Sequence, residues 1–254
     1  MNKELLGSLE LNRIYQIDCL EGMKLIPDGS IDMILCDLPY GTTQNKWDIV
    51  IPLERLWEEY NRIIKDDGAI VLTGQGGFSA KLILSNEKYY KYSLVWEKDN
   101  ITGHLNAKKQ PLRKHEDIMV FYKKQCTYNP QFTQGTPYQY SHYKYETSSS
   151  NYGEQKGVGQ IINDGRRYPT SIVKINKISP KKKKILHPTQ KPVELFEWLI
   201  KTYSNKGDII LDNCMGSGTT AVAALKNDRK FIGFETEFKY IEIANMRLES
   251  VYDE

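Results

Sequence analysis

The sequence has few cysteines and lacks any apolar segment long enough to cross a membrane. Its 254 residues include four cysteines, with no Cys-x-x-Cys pair: Cys19, Cys36, Cys126 and Cys214. Thiols this far apart, in mostly apolar surroundings, indicate reduced, buried side chains and argue against a metal site. We therefore expect no metal. Because there is neither a signal-like start nor a membrane-length apolar run, we also expect a cytoplasmic protein with no membrane contact.

A strong net charge is also missing. The chain carries 35 Lys and Arg against 32 Asp and Glu, a net charge of +3, and its pI is near 8.4. Such a mild balance does not by itself indicate a polyanionic partner. The distribution of charge along the chain is therefore the more informative property.

Hydrophobic periodicity is absent from residues 126 to 184. Tyrosines there are interleaved with Ser, Asn, Gln and Gly. Basic residues accumulate toward the end of the segment, and the candidates for nucleic-acid contact are Arg166, Arg167, Lys181, Lys182, Lys183 and Lys184. The composition fits a solvated loop, and it also fits a surface that stacks on bases and neutralises phosphates.

Two phosphate-binding signatures are missing from the second half of the chain. A predicted strand at 208–212 runs into a turn with Gly216 and Gly218, and a second strand ends at Glu235, 17 residues beyond Gly218. This arrangement is typical of nucleotide-like cofactor sites at the ends of parallel strands. Since no Gly-Lys-Ser/Thr follows and the third dinucleotide glycine is absent, we expect a cofactor with a ribose and no phosphate.

The most informative segment that is present runs from Ile31 to Tyr40, I-D-M-I-L-C-D-L-P-Y. Its apolar run has the length of a buried strand, and it stops at Asp37. Pro39 keeps Leu38 extended, so the Asp37 carboxylate and the Leu38 carbonyl would lie beside the Tyr40 ring. Two acceptors and a flat ring suit an amino group on a planar heterocycle, although an ordinary strand-to-loop turn fits the same residues.

Three motifs together resemble the amino-group DNA methyltransferases: D-L-P-Y at 37–40, H-P-T-Q-K-P at 187–192 and G-S-G-T-T at 216–220. Their order is that of the permuted (beta) group, in which the catalytic motif comes first. The resemblance implies an α/β, Rossmann-like, doubly wound and mostly parallel seven-stranded sheet with an antiparallel edge hairpin. It also implies a catalytic half (1–125), an inserted DNA target-recognition region (126–185) and an S-adenosylmethionine-binding half (186–254).

The resemblance carries roles over to individual residues. Asp37, the Leu38 carbonyl and Tyr40 would hold a flipped base, and Pro39 would fix the turn. The S-adenosyl-L-methionine site would comprise Asp18, Cys19, Asp37, Pro188, Lys191, Asp212, Asn213, Cys214, Gly216, Ser217, Gly218, Thr219, Thr220 and Glu235. Two positions depart from the family pattern. Leu38 replaces a proline, and Asn213-Cys214 replaces Pro-Phe, which removes an aromatic wall.

The implied activity is transfer of a methyl group from S-adenosyl-L-methionine to the N6 amino group of adenine in double-stranded DNA. Asp37 favours adenine because, in the family, serine more often begins the version of the motif that acts on the N4 amino group of cytosine. The cytosine reaction, an RNA substrate and an inactive nucleic-acid-binding homologue are the alternatives. The sequence leaves open whether the chain forms a homodimer or works beside a restriction endonuclease.

Overall fold

The structure is a computed structural model, and it describes residues 3–41, 48–141, 146–149, 153–156, 160–176 and 190–252. The helices are α1 (Cys19–Met23), α2 (Leu53–Ile63), α3 (Gly77–Ser85), α4 (Val193–Tyr203), α5 (Thr219–Lys226) and α6 (Phe238–Tyr252), with a short 3-10 helix at His104–Asn106. The strands are β1 (Leu5–Leu6), β2 (Leu9–Glu10), β3 (Arg13–Gln16), β4 (Ile31–Cys36), β5 (Ile64–Gly74), β6 (Tyr90–Thr102), β7 (Arg113–Phe121), β8 (Thr133–Gln134), β9 (Tyr138–Ser141), β10 (Glu146–Ser149), β11 (Gly153–Lys156), β12 (Gln160–Asn163), β13 (Arg166–Arg167), β14 (Ile172–Lys174), β15 (Ile209–Asp212) and β16 (Lys230–Glu235).

The chain divides into two compact units, one formed by Met1–Asn129 with Ser171–Glu254 and the other by Pro130–Thr170. The larger unit is built on an eight-stranded sheet with the order β14-β6-β7-β5-β4-β15-β16-β3. Strand β7 is antiparallel to β5 and β6, and the other pairings are parallel.

Apolar side chains cover both faces of this sheet. One face packs on α1, α2 and α3, where the amphipathic α2 buries Leu56, Trp57 and Tyr60. The opposite face packs on α4, α5 and α6, to which α4 contributes Leu195 and Phe196. Helices on both faces of a mostly parallel sheet make the fold doubly wound.

The centre of the sheet is a topological switch point. Strands β4 and β15 are parallel neighbours, with Ile34 paired to Leu211. After β4 the chain continues through α2 to β5, and after β15 it continues through α5 to β16, on the other side of the pair and along the other face. Diverging connections of this kind open a crevice at the carboxyl ends of the two strands, where ligands bind in such folds.

The smaller unit consists of antiparallel pairs, β8 with β13, β9 with β12 and β10 with β11. The Tyr138 and Tyr140 rings stack with centroids 5.8 Å apart, and the Arg167 guanidinium lies 4.8 Å from the centre of the Tyr138 ring. Arg167 also donates a 2.6 Å hydrogen bond to the Thr136 carbonyl. Contacts among arginine and tyrosine side chains therefore stabilise this unit.

The predicted fold class is confirmed, with one correction to the strand count. Among the described residues the sheet has eight strands and not seven, because β14 pairs in parallel with β6. The β6–β7 hairpin is consequently not the edge of the sheet. Only Val173 of this three-residue strand is buried, and so short an element has no alternating pattern to read. The predicted insertion begins at 126 and ends at 185, whereas Cys126 and Val173 lie in the core of the larger unit.

No helix in the described part of the chain is both long and apolar enough to cross a membrane.

Candidate active site

A cavity of about 850 Å³ lies in the larger unit, where β4, β15 and β16 end. Most of the residues predicted from the sequence line it: Asp18, Cys19, Asp37, Leu38, Pro39, Tyr40, Lys191, Asp212, Asn213, Cys214, Gly216, Ser217, Thr219, Thr220 and Glu235. Pro188 and the run Lys181 to Lys184 lie outside the described residues. Arg166 and Arg167 belong to the smaller unit. The cavity has a size typical of cofactor sites.

Asp37 is held by three side chains at the end of β4. The Tyr40 hydroxyl donates a 2.8 Å hydrogen bond to Asp37 Oδ1, and the Thr73 hydroxyl donates to the same oxygen. The Lys191 ammonium donates to Asp37 Oδ2 at 2.6 Å. Behind this group, the Tyr40 and Phe78 rings pack with centroids 4.9 Å apart. The carboxylate is therefore fixed in place rather than free to rotate, which an ordinary strand-to-loop turn does not require.

Lys191 belongs to a chain of buried charges. Its Nζ lies 3.3 Å from Glu116 Oε2, and Glu116 Oε1 accepts a 2.9 Å hydrogen bond from Lys98. Burial disfavours the charged form of Lys191, but the charges of Asp37 and Glu116 outweigh it and raise the pKa of Lys191 above its ordinary value. Burial likewise opposes ionisation of Glu116, yet Lys191 and Lys98 hold the pKa of Glu116 below its ordinary value. Both shifts favour the charged forms of Lys191 and Glu116, so the two side chains form a buried ion pair.

Sequence reasoning missed Thr73, Lys98 and Glu116. Each comes from a different strand, β5, β6 and β7, and none belongs to one of the sequence motifs. A signal was present, since Lys98 lies two residues beyond the buried Trp96 and faces the same side of its strand. Its ammonium lies 5.7 Å from the centre of the Trp96 ring. An inward-facing lysine in a buried strand needs a charged partner.

The glycine turn and the end of β16 form the other side of the cavity. The Gly216 amide donates a 2.8 Å hydrogen bond to Glu235 Oε2, and the amides of Thr236 and Glu237 donate to Oε1. Gly216 has a φ of 51°, in the left-handed region that glycine adopts most easily. The turn thus orients the Glu235 carboxylate, which lines the cavity where a ligand hydroxyl group can reach it.

Asp212 is a buried carboxyl at the head of this turn. It accepts a 3.0 Å hydrogen bond from the Cys214 amide and one from the Thr220 hydroxyl. Burial raises the pKa of Asp212 to about 6, against the opposing effect of these hydrogen bonds. The group therefore changes charge near neutral pH.

The first helix supplies the edge of the cavity beside these groups. Asp18 caps α1 and accepts hydrogen bonds from the Leu20 and Glu21 amides at 2.9 and 3.3 Å. A hydrogen bond with Cys214 lowers the pKa of Cys19. Asn213, which stands where the family usually has proline, accepts a 2.5 Å hydrogen bond from the Tyr60 hydroxyl. A polar contact with α2 thus fixes the turn at this departure from the family pattern.

Gly218 is the exception among the predicted turn residues. It does not line the cavity, and a Cβ at this position would lie 2.7 Å from the Cβ of Ala244 on α6. Its φ is 79°. The packing of α6 on the turn accounts for the need for glycine here, and a cofactor contact at Gly218 stays a prediction.

Among the described residues, no group of three or more His, Cys, Asp and Glu side chains is arranged to hold a metal ion.

Comparison with known proteins places these features in context. The family described as DNA methylase matches residues 31–246. Type II methyltransferase M1.MboII of Moraxella bovis is 27% identical over 96% of this chain and 98% of its own length. DNA adenine methyltransferase YhdJ of Escherichia coli K12 is 28% identical over 94% of this chain and 83% of its own length.

Two solved structures are similar across nearly the whole chain. The M1.HpyAVI-SAM complex has a TM-score of 0.61 and 25% identity, covering 93% of this chain and 98% of that one. The cytosine-N4-specific PvuII DNA methyltransferase has a TM-score of 0.66 and 16% identity, covering 94% and 89%. The second likeness concerns the fold alone.

Proposed function

The chain belongs to the DNA methylase family, and on this basis we propose that it methylates the N6 amino group of adenine in double-stranded DNA with S-adenosyl-L-methionine. The observation that carries the proposal is the position of Asp37. Its carboxylate is anchored by Tyr40, Thr73 and Lys191 in the same cavity as the glycine turn and Glu235. An acceptor for the amine and a site for the methyl donor thus lie in one cavity.

The cavity residues fit the proposed cofactor. The Glu235 carboxylate, held by three backbone amides, is placed to accept hydrogen bonds from ribose hydroxyls. Asp18 and Cys19 at the start of α1 would face the adenine, and Asp212 with Thr219 would enclose the methionine part. When bound, S-adenosyl-L-methionine supplies an electrophilic methyl group on a sulfonium. The absence of a phosphate-binding loop agrees with a ligand that has no phosphate.

Asp37 and the Leu38 carbonyl would activate the amino group. The lone pair of the adenine amino nitrogen is delocalised into the ring, so the amine is a poor nucleophile. Acceptors on both N–H bonds would localise that lone pair and aim it. After methylation the nitrogen is positively charged and must release a proton, and Asp37 is the nearest proposed acceptor. Tyr40 would stack on the base, which must be extruded from the duplex to reach the cavity.

Adenine is preferred over cytosine on two grounds. Asp37 stands at the position where the cytosine version of the motif more often has serine, and the relative YhdJ is named as an adenine methyltransferase. The N4 amino group of cytosine remains the second candidate, because the amino-group methyltransferases that the motifs resemble act on either base. Mass spectrometry of nucleosides from DNA methylated by the protein distinguishes the two products.

The smaller unit and the lysine run are proposed to contact DNA. The exposed Tyr138, Tyr140 and Tyr168 offer rings on which bases can stack. Arg167 is committed to contacts within the unit, so we assign phosphate contact mainly to Arg166 and to Lys181, Lys182, Lys183 and Lys184. Arg166 forms an exposed ion pair with Asp164, which solvent screens and DNA can replace.

The relatives named as type II methyltransferases support a restriction endonuclease of the same site specificity as a partner. A homodimer is the second partner proposal. Analytical ultracentrifugation of the protein with and without DNA tests the homodimer, and cleavage protection of methylated DNA tests the endonuclease pairing.

Single-turnover methylation by Asp37→Ala and Tyr40→Ala variants tests the mechanism. We expect Asp37→Ala to retain cofactor binding, because Glu235 and the glycine turn follow other strands than Asp37 does. Its rate of methyl transfer should fall by about a hundredfold to a thousandfold. The Tyr40→Ala defect should be partly relieved when the target adenine is mispaired, since extruding such a base costs less. An Asp37→Ala protein with a near-normal rate would contradict the proposal.

A further inference from the structure

The ammonium of Lys191 lies between two carboxylates. It is 2.6 Å from Asp37 Oδ2 and 3.3 Å from Glu116 Oε2, and its side chain is only 8% exposed. Asp37 Oδ1 already accepts from Tyr40 and Thr73. The oxygen that remains for a substrate amino group is therefore the one that Lys191 occupies.

This arrangement creates a conflict with the proposed role of Asp37. An ammonium on Asp37 Oδ2 competes with the substrate N–H for the same acceptor. It also opposes the positive charge that develops on the amino nitrogen during methyl transfer. Release of Lys191 from Asp37 would remove both effects when the base arrives. A buried ammonium that moved without finding another carboxylate would be left unpaired, which is strongly unfavourable.

Glu116 offers that second carboxylate. Its Oε1 is held by Lys98 at 2.9 Å, which fixes the position of the carboxylate. Its Oε2 is buried, and in the described part of the chain no group donates a hydrogen bond to it with good geometry. A shift of under about 1 Å would bring Lys191 from ion-pair distance to hydrogen-bond distance. In the free protein, Glu116 Oε2 therefore lies beside the Lys191 ammonium and can accept a hydrogen bond from it.

We propose that Glu116 takes over the Lys191 ammonium when the target amino group binds Asp37, so that Lys191 and Glu116 act as positioning residues for the catalytic carboxylate. The inference rests on the proposed function, since it concerns the access of an amino group to Asp37. Lys98 keeps the Glu116 carboxylate in position for this exchange through its hydrogen bond to Oε1. After the exchange the Lys191 ammonium still has a carboxylate partner, while Asp37 keeps the Tyr40 and Thr73 hydroxyls and gains the amino group.

Glu116→Gln is the variant that tests the exchange, with binding of target DNA as the readout. A neutral amide holds the ammonium poorly, so Lys191 should stay on Asp37 and compete with the base. The duplex carries the site that the wild-type protein methylates, with either adenine or 2-aminopurine, which has no 6-amino group, at the target position. We expect Glu116→Gln to bind the adenine duplex about 10- to 100-fold more weakly than wild type, and the 2-aminopurine duplex within about threefold.

Three comparisons make the test decisive. The ratio of the two affinities is taken within one protein preparation, so partial unfolding of Glu116→Gln cancels. Glu97→Gln is the matched control, because Glu97 lies on the neighbouring strand β6 and its ion-pair partners among the described residues are the exposed Lys114 and Lys174. In a Lys191→Met background, Glu116→Gln should no longer alter the ratio, because no ammonium competes for Asp37.

If Glu116→Gln leaves the ratio of the adenine and 2-aminopurine affinities unchanged, whether or not both affinities fall, the inference is overturned and Glu116 has a structural role. Failure of the proposed function gives a different result. In that case the wild-type protein would methylate neither DNA adenine nor cytosine, whatever the state of Glu116.

Discussion

At the scale of single residues, Asp212 couples the stability of the protein to pH. Burial raises its pKa from 3.8 to about 6, so the folded protein binds this proton more tightly than the unfolded chain does. Protonation of Asp212 therefore favours the folded protein fully below about pH 4, and this stabilisation is lost as the pH rises through about 6. Over this window the free energy of unfolding contributed by Asp212 should fall by up to about 3 kcal/mol.

The Asp212→Asn variant removes this titration. Relative to wild type it should become more stable as the pH is raised from 4 to 8, because the wild-type carboxylate must ionise in a buried site. Urea unfolding at several pH values measures the difference. Asp66→Asn serves as control, since Asp66 is exposed and paired with Lys124, and it should not produce this trend. Parallel pH profiles for wild type and Asp212→Asn would contradict the assignment.

Gly218 is important for the stability of the fold because α6 packs closely against it. Gly218→Ala should destabilise the fold by about 2 to 4 kcal/mol, from backbone strain at positive φ and from contact with Ala244. The cofactor affinity of the folded protein should stay within severalfold of wild type, because Gly218 does not line the cavity. Thermal unfolding and calorimetry measure the two effects separately.

A second substitution separates strain from contact at Gly218. Ala244→Gly added to Gly218→Ala removes the facing methyl group, so part of the lost stability should return while the strain at φ remains. No recovery in the double variant would assign the whole effect to the backbone.

Single residues were predictable where a motif fixed both their identity and their position. Asp37 and Tyr40 end a strand whose apolar run is visible in the sequence, and the structure brings them to the cavity as predicted. Thr73, Lys98 and Glu116 come from other strands. Their meeting depends on the pairing of β5, β6 and β7, which no local pattern specifies.

At the scale of elements, the periodic segments were predicted well and the short ones were not. The apolar spacing of helix α2, Leu53–Ile63, repeats over three turns and is visible in the sequence. The strand predicted to end at Glu235 does so as β16. Strand β14 was missed because its three residues form a strand only by pairing with β6, in a region whose composition looked irregular.

The loop between β6 and β7 gives a prediction for an element that the sequence showed only as polar and basic. Thr102 and Arg113, at its two ends, line the cavity, while Leu105 between them is fully exposed. An apolar side chain beside a site for an extruded base is suited to fill the gap in the duplex. Leu105→Ala should therefore slow methylation of paired DNA severalfold and slow methylation of a mispaired target less.

Leu84→Ala is the matched control for the loop, because Leu84 is an exposed leucine on α3 that does not line the cavity. Rates for both variants on paired and mispaired duplexes are measured under single-turnover conditions. A Leu105→Ala rate equal to that of Leu84→Ala on every duplex would remove the loop from base extrusion.

At the scale of the whole molecule, the order of the motifs along the chain differs from their order in space. The catalytic strand β4 and the cofactor strand β15 are far apart in sequence, yet they are parallel neighbours at the switch point of the sheet. Local patterns alone do not order the strands, and the family resemblance implied the doubly wound sheet without stating which strands are neighbours. The extent of the smaller unit was less accessible, because polar and aromatic composition marks an irregular region without marking its limits.

The division into two units predicts that recognition and cofactor binding can be separated. The larger unit contains the whole sheet, both apolar layers and the cavity. Replacing Pro130–Thr170 with a flexible linker of about ten Gly and Ser residues should leave a folded protein that still binds S-adenosyl-L-methionine. Its DNA affinity and its preference for one methylation site should fall together, because the tyrosines proposed to contact bases are gone.

Calorimetry measures cofactor binding, and sequencing that detects methylated bases in cellular DNA measures site preference. A full-length protein with Tyr138 and Tyr140 changed to alanine controls for the linker, since it should lose site preference without any change in chain connectivity. If the shortened protein folds and still methylates the same sites, recognition resides in the larger unit; if it cannot fold or bind the cofactor, the smaller unit is part of the folding core.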